Sequence, residues 1–192
     1  MQIVAINADD RADGNGKAGL TWISKNVLNT SHRYNPALSP SSAPYTEGTG
    51  TIGGWENSEL RSYLKNTIKP LIPEAIRNGI VEVSKISRGY DTSETEGNKT
   101  TTEDVWIPSF REYYGTSSLT SGEGTGIYYI NGDLEVHRNA RKKKRYSTDS
   151  ALEYWLRTNS SMKGETTINY SGSRSSKSAV NPSYIVIGFC TN

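Results

Sequence analysis

The chain has 192 residues, enough for one domain with a single core, and its formal net charge is only +2. Hydrophobic residues make up 33%, below the usual ~45–50%, while 12 Tyr and 4 Trp supply large side chains that also carry a polar group. The small net charge excludes the chain-wide basic field of many nucleic-acid binders, and the single cysteine, Cys190, excludes an intrachain disulfide and a multi-cysteine zinc site.

The first third of the chain predicts strands separated by long turns. Residues 3–6 form an apolar run, and residues 20–28 have strand composition. Residues 35–54 are rich in Pro, Ser and Gly, so we expect a long loop there. A loop of this length inside a compact domain is uncommon unless it is functional. No apolar run approaches the ~18 residues of a membrane span, and we expect neither membrane insertion nor a secretion signal.

The middle of the chain carries the clearest helix signals. Ser58 is a suitable N-cap for a helix whose apolar residues 60–68 share one face, and Pro70 should end it. Pro73 should begin a second helix over residues 74–78.

Alternation of apolar and polar residues predicts a half-buried strand at 80–86, whereas residues 88–104 are polar and turn-rich and predict a loop. A short buried strand is expected at 105–108. Ser109 and Glu112 then have the spacing of a capping box at the start of a short helix.

The last third predicts short strands between turns, at residues 127–130, 134–137, 152–156, 166–170 and 184–189. The fold class is therefore α+β, in one domain spanning residues 1–192. The expected core consists of the large apolar side chains of the predicted elements, namely Trp22, Trp55, Leu60, Leu64, Trp106, Ile107, Trp155, Leu156, Ile187 and Phe189.

Motifs of catalysis and metal binding are weak in this sequence. The two histidines, His32 and His137, lie outside any nucleophile motif. The acidic turn at residues 9–16 lacks the twelfth-position Glu of an EF-hand, although a looser cation site stays open. The spacing of Gly14, Gly16 and Gly19 fits a dinucleotide loop, but a β-rich run follows it where a helix is required.

The basic run at residues 141–145 is the one concentration of like charge. Five cations could bind phosphate, but the rest of the chain is near neutral. We therefore expect an exposed, poorly ordered loop that is dispensable for function, and no nucleic-acid partner.

Six sequence blocks resemble a domain family of unassigned biochemical function that is common in phage and prophage tail proteins. The resemblance spans nearly the whole chain, and its blocks lie at residues 12–19, 30–36, 54–64, 104–112, 154–157 and 188–190. That family in turn resembles the C-type-lectin-like fold shared by formylglycine-generating enzymes and by diversified phage receptor-binding proteins. The resemblance implies short helices, small twisted antiparallel sheets and long loops. It also leaves open that residues 1–192 are the C-terminal part of a longer tail protein.

The same resemblance implies a ligand-binding face in residues 154–184. Hydrogen-bonding and aromatic side chains of this segment are the candidate site, namely Tyr154, Arg157, Asn159, Ser160, Ser161, Asn169, Tyr170, Ser173, Arg174, Asn181 and Tyr184. The calcium motifs of sugar-binding lectins and the catalytic cysteine pair of the enzymes are absent, so no metal, cofactor or catalytic residue is expected.

The leading hypothesis is a non-enzymatic recognition module in the virion tail, or in a prophage product, that binds a bacterial surface glycan or protein. Its partners would include other tail subunits, among them copies of the same chain. Two alternatives stay open: a purely structural tail or baseplate domain, and a surface-glycan hydrolase.

Overall fold

The computed structural model describes residues 1–36, 54–88, 98–115, 123, 128–129, 132, 134–161 and 164–192, apart from the side chains at 160, 161 and 164. The strands in this part are β1 (Gln2–Ile6), β2 (Leu20–Ile23), β3 (Ser31–His32), β4 (Ile80–Val81), β5 (Val83–Ser87), β6 (Lys99–Glu103), β7 (Tyr154–Ser161), β8 (Gly164–Ile168), β9 (Arg174–Ser178), β10 (Ser183–Tyr184) and β11 (Gly188–Thr191). The α-helices are α1 (Glu59–Tyr63), α2 (Glu74–Arg77), α3 (Phe110–Tyr114) and α4 (Glu135–Arg141).

The strands form small sheets, and the chain is of mixed α and β structure. One sheet has the order β1-β2-β11-β4 and is antiparallel throughout. The second has the order β3-β10-β7-β8-β9, with a single parallel contact between β10 and β7. Strands β5 and β6 form a separate antiparallel ribbon. In the second sheet Tyr184, Tyr154, Ile168 and Arg174 pair in one row across four strands.

The core consists of two clusters of buried side chains on either side of β7. Trp155 belongs to the first cluster, together with Trp55 and Trp106. Tyr154 and Leu156 belong to the second. The predicted core is confirmed except at Trp22, which is only partly buried and donates its indole N–H to Thr191 Oγ1 (3.1 Å).

The helix starts predicted for the middle region are confirmed, but the helical path does not end at Pro70. Ser58 caps α1 by accepting from the backbone N–H of Arg61, and the helical path continues through a π-helical turn at Leu64–Ile68 and a 3-10 turn at Lys69–Leu71. Pro70 is tolerated because it lies in the first turn of the latter. The capping box of Ser109 and Glu112 opens α3, and Gly115 ends it with φ 76°.

Two predictions of element type were wrong. Residues 134–137 were expected to be a strand, but they begin α4, which has Glu135 in its first turn and Arg138 and Arg141 in its last. These charges suit the helix dipole, and that signal was outweighed by a short apolar alternation. Residues 88–104 were expected to be a loop, yet they include β6, whose inward side chains Thr101 and Glu103 are polar.

Other predictions were right in part. The strand expected at 20–28 stops at Ile23, and that at 105–108 is reduced to one bridge between Trp106 and Gly188. Strand β9 was missed because the sequence Arg-Ser-Ser-Lys-Ser has no apolar alternation. Residues 127–130 lie outside the described residues except for Tyr128 and Tyr129, and so does most of the 35–54 loop.

Candidate functional site

The turn that joins β8 to β9 is fixed by its own hydrogen bonds. The Asn169 side-chain oxygen accepts from the backbone N–H of Ser171 (2.9 Å) and of Ser173 (3.2 Å), and the Gly172 N–H donates to the Asn169 carbonyl (2.9 Å). Asn169 therefore organises the turn from inside. Tyr170 lies at its crown and is 72% exposed.

Gly172 packs this turn against α4. Its φ is 80°, and a Cβ at this position would collide with the backbone carbonyl of Arg138. The Gly172 carbonyl also accepts from Arg141 Nε (3.1 Å) and from the Tyr114 hydroxyl (3.4 Å). Glycine is required both for the backbone conformation and for the close approach.

The exposed Arg174 rests on a pair of stacked aromatic rings. Its guanidinium lies 5.4 Å from the ring centre of Phe110, which stacks on Tyr114 with centroids 4.3 Å apart. The Arg141 guanidinium lies 4.1 Å from the ring centre of Tyr114. Cation–π contacts of this kind restrict a flexible side chain to one region of the surface. We call residues 169–174, which include the exposed side chains of Tyr170 and Arg174, the recognition face.

Three residues predicted to bind ligand are buried, so they are not part of any exposed face. Tyr154 is fully buried and donates to the Arg141 carbonyl (2.9 Å). Arg157 is 2% exposed and is held by Glu112 through two hydrogen bonds (2.7 and 2.8 Å). Asn159 is buried beside Glu165. The reason is that β7 packs against core residues on both of its sides.

The remaining predicted residues are distributed around the sheet. The side chains of Ser160 and Ser161 lie outside the described residues. Ser173 is half-buried in the turn, while Asn181 is exposed beyond the opposite end of β9. Tyr184 is half-buried three strands from Arg174, about 14 Å across the sheet. Among the predicted residues whose side chains the structure describes, Tyr170 and Arg174 are the two exposed groups that lie on the same turn and strand start.

The basic run at 141–145 is not the exposed loop that the sequence predicted. Arg141 has no exposed surface and Lys143 only 2%. Arg141 ends α4 and also donates to the Gly132 carbonyl (2.6 Å). Arg145 donates to the Tyr184 hydroxyl (2.6 Å), while Lys142 and Lys144 are exposed. The prediction followed from the near-neutral charge of the whole chain, but an aromatic ring and backbone carbonyls contact the buried guanidinium of Arg141.

A network of charged side chains lies beneath β7 and borders a polar cavity of about 70 Å³. Lys85 donates to Asp9, to Glu112 (2.8 Å) and to the Tyr128 hydroxyl (3.2 Å), and Arg157 donates to both Glu112 oxygens. Burial alone would raise the pKa of Glu112, but Arg157 and Lys85 lower it to about 2. We call Asp9, Lys85, Glu112 and Arg157 the buried ionic network.

Two further carboxyl groups behave in the opposite way. Burial raises the pKa of Glu165 well above its usual range, and the charge of Glu123 raises it further. With its amide nitrogen turned toward Glu165, Asn159 donates to both carboxyl oxygens (2.6 and 2.7 Å). Glu123 accepts from Thr158 Oγ1 (2.9 Å), and burial raises its pKa as well. These groups are enclosed in the structure and do not form an exposed acid pair.

The other sequence candidates have structural explanations. Asp9 pairs with buried Lys85 and Asp13 with Arg11, so the acidic turn does not converge on one point. Gly14 and Gly16 have positive φ in a hairpin turn, and Gly19 lies against the backbone of Asn192. Cys190 is buried, which raises the pKa of its thiol. Among the described residues, no group of three His, Cys, Asp or Glu could hold a metal ion.

Sequence reasoning missed an apolar hollow of about 540 Å³ beside the helical segment that follows α1. Phe189 and Ile187 line it from within, and Leu71 and Ile76 stand exposed at its edge. Two isolated apolar residues give no periodic signal, so the sequence could not predict it. No helix in the described residues is long and apolar enough to cross a membrane.

Comparison with known proteins gives the chain a family. No curated protein and no solved structure matches it. A family model described as a domain of unknown function matches residues 21–187. This range contains most of both core clusters, and the cluster residues outside it lie before residue 21 and after residue 187. The chain therefore belongs to the DUF6273 family.

Proposed function

We propose that this chain is a non-enzymatic recognition module that binds a bacterial surface glycan or protein through the recognition face. The observation that carries the proposal is the pairing of a 72% exposed Tyr170 with an Arg174 that rests on a fixed aromatic stack. Tyrosine and arginine are the side chains that most often dominate binding energy at interfaces. A turn fixed by Asn169 lowers the entropy lost when a ligand binds.

The way in which the buried charged groups pair with one another favours binding over catalysis. Lys85, Glu112 and Arg157 direct their polar atoms at one another beneath the surface. A general acid or base must reach a substrate proton within hydrogen-bond distance, directly or through one water. The network satisfies its own charges, so its role in this proposal is to stabilise the fold.

The proposal includes a place in a phage or prophage tail and a C-type-lectin-like arrangement of the chain. Both depend on the resemblance of the six sequence blocks. The structural features that support this arrangement are general ones, namely small antiparallel sheets, short helices and extended connecting segments. The blocks contain Trp55, Trp106 and Trp155, all buried in the first core cluster. They therefore report a shared core more directly than a shared ligand.

A pull-down of the purified chain with bacterial cell walls tests the proposal. We expect the native chain to bind walls, and the double variant Tyr170→Ala with Arg174→Ala to bind at least tenfold more weakly, corresponding to roughly 1.4 kcal/mol or more. The matched control is Lys65→Ala with Leu71→Ala, which removes one exposed cation and one exposed apolar group from the segment after α1.

Each outcome of this experiment has a distinct meaning. Equal binding by the native chain and the double variant would remove the recognition face from the proposal. If the chain bound no wall material, the recognition function itself would be wrong and a structural tail role would replace it. Release of soluble fragments from purified walls would show hydrolysis and overturn the non-enzymatic assignment.

A further inference from the structure

The contact between the β8–β9 turn and α4 joins the recognition face to a segment rich in positive charge. Residues 138–145 contain six cations and no acidic residue. Gly172 packs on the Arg138 backbone, so the turn that carries Tyr170 adjoins this segment directly. Two of its cations, Lys142 and Lys144, are exposed, and Arg174 is exposed on the adjacent strand.

A pair of lysines extends the positive surface beyond α4. The backbone N–H of Val27 donates to the Lys144 carbonyl (3.0 Å), which brings residues 25–27 alongside residues 143–144. Lys143 is 2% exposed, and burial together with the neighbouring Lys25 lowers its pKa to about 8. Among the described residues, the structure gives neither lysine a carboxylate partner. A ligand anion would supply the missing counter-charge and relieve the repulsion between them.

We propose that the recognition face and this basic segment bind an anionic polysaccharide, with Tyr170 against a sugar ring and Arg174, Lys142 and Lys25 paired to its carboxylate or phosphate groups. This inference rests on the proposed recognition function and specifies its ligand. A guanidinium held by a ring contact can pair with two oxygens of a carboxylate or phosphate through two hydrogen bonds, and lysines act as point charges beside it.

Charge and shape favour a polysaccharide over a nucleic acid. The isoelectric point is about 8.5 and the net charge is +2, so the positive surface is local. Nucleic-acid-binding domains usually carry an isoelectric point above about 9 and several aromatic platforms for the bases. The turn around Tyr170 instead contains two half-buried serines, Ser173 and Ser171, and the Ser171 hydroxyl donates to the Asn169 side-chain oxygen (2.6 Å) and keeps its acceptor capacity for a hydroxylated ligand.

The test measures binding of the purified chain to polygalacturonate, to a glycerol phosphate polymer, to neutral dextran and to double-stranded DNA. We expect at least one of the two anionic polymers to bind about tenfold or more tightly than dextran, and which one binds identifies the anion. Raising the salt from about 50 to about 300 mM should weaken that binding severalfold, because ionic attraction at an exposed surface is screened. Equal affinity for dextran would overturn the anionic assignment, and tighter binding to DNA would replace the polysaccharide with a nucleic acid.

Matched charge variants locate the site. Lys25→Gln with Lys142→Gln should weaken polymer binding about fivefold to tenfold, whereas Lys65→Gln, an exposed lysine on the segment after α1, should leave it unchanged. Bound polymer should also raise the pKa of Lys143 above about 8, measured by NMR of the isotopically labelled side chain in the full chain. An unchanged pKa at saturating polymer would overturn the lysine pair as part of the site.

The two proposals fail in different ways. If the chain binds cell walls but shows no preference for anionic polymers, the ligand class is wrong and the recognition function stands. If it binds neither walls nor any of the polymers, the recognition function is wrong, and this inference falls with it.

Discussion

The buried ionic network and the recognition face use the same residue types for different purposes. Arg157 lies on β7 and Arg174 on β9, the strands on either side of β8, yet the first is 2% exposed and the second is exposed over Phe110. Arg157 meets a buried carboxylate through two hydrogen bonds, whereas Arg174 leaves its polar atoms available to a ligand. Burial, and not residue type, distinguishes an arginine that stabilises the fold from one that is free to contact a ligand.

This difference in burial implies that substitutions in the two regions change stability by very different amounts. Removing one partner of a buried charge pair leaves the other desolvated and unpaired, which costs several kcal/mol. Removing an exposed group that rests on the surface changes stability by only a few tenths of a kcal/mol. Substitutions in the two regions can therefore test this separation, because their expected costs run from several kcal/mol to a few tenths.

Arg157→Met should have the largest effect on stability. The substitution leaves Glu112 buried with Lys85 as its remaining cationic partner, and we expect a loss of about 3–5 kcal/mol in the free energy of unfolding. Urea denaturation followed by tryptophan fluorescence measures it. Arg174→Met is the matched control, with an expected change within ~0.5 kcal/mol. Similar losses in both variants would contradict the separation of the two regions.

Trp106→Ala should cost roughly 3–5 kcal/mol, because this fully buried ring also lies 4.3 Å beneath the Lys85 ammonium. Trp22→Ala is the comparison, since its ring is only partly buried and should contribute less. Denaturation midpoints of the two variants provide the measurement. A larger loss at Trp22 than at Trp106 would show that the first cluster is not the main core.

Protonation of Glu112 should lower the stability of the fold in acid. The folded-state pKa of Glu112 is lowered from 4.5 to about 2, so its contribution is complete above pH 4.5 and is lost as the pH falls toward 2. A shift of this size corresponds to about 3 kcal/mol for a fully buried group. Urea denaturation at several pH values across this window provides the measurement.

Glu165 should make stability depend on pH in the opposite direction. Because its folded-state pKa is raised, its contribution is complete below pH 4.5 and is lost as the pH rises through the folded-state value. Glu165→Gln should therefore gain stability relative to the native chain as the pH rises from about 4 to about 8. A constant difference between the two proteins over that range would show that Glu165 is not a protonated buried acid.

Gly172→Ala tests the contact that joins α4 to the recognition face. The φ of 80° and the collision with the Arg138 carbonyl together should cost about 1–3 kcal/mol. Gly14→Ala is the matched control, since Gly14 has nearly the same φ, 76°, but open space around its Cβ position. We expect that control to lose about 1 kcal/mol or less. Equal losses in the two variants would mean that the turn moves freely away from α4.

Sequence reasoning predicted those parts of the fold that are specified locally. Ser58 and Ser109 cap their helices as expected, because a hydroxyl at the N-cap satisfies backbone N–H groups within the same turn. The buried tryptophans were predicted because large rings on apolar positions have few other places to go. Strand β9 and helix α4 were missed because their apolar periodicity is weak.

The candidate site could be predicted only in part, for a different physical reason. The exposure of Tyr170 and Arg174 follows from a Ser- and Gly-rich turn, and the sequence contains that signal. The burial of Arg157 and Asn159 depends on Glu112 and Glu165, and strand pairing sets the second of these contacts. The packing of Gly172 on Arg138 joins residues 34 positions apart, and no local pattern encodes it.

The smallest predicted effect concerns the stack beneath Arg174. Arg174→Lys keeps the positive charge but loses the planar group that lies over Phe110, so anionic-polymer binding should weaken only about twofold to fivefold while the melting temperature stays constant. Phe110→Leu should weaken binding similarly, since it removes the ring that holds the guanidinium. If the stack is the cause, combining Phe110→Leu with Arg174→Lys should weaken binding no further than either change alone, a coupling of about 0.5–1 kcal/mol in a double-mutant cycle. Additive effects would show that Arg174 acts by charge alone, and the recognition face would then owe its specificity to Tyr170 and to the lysines beside α4.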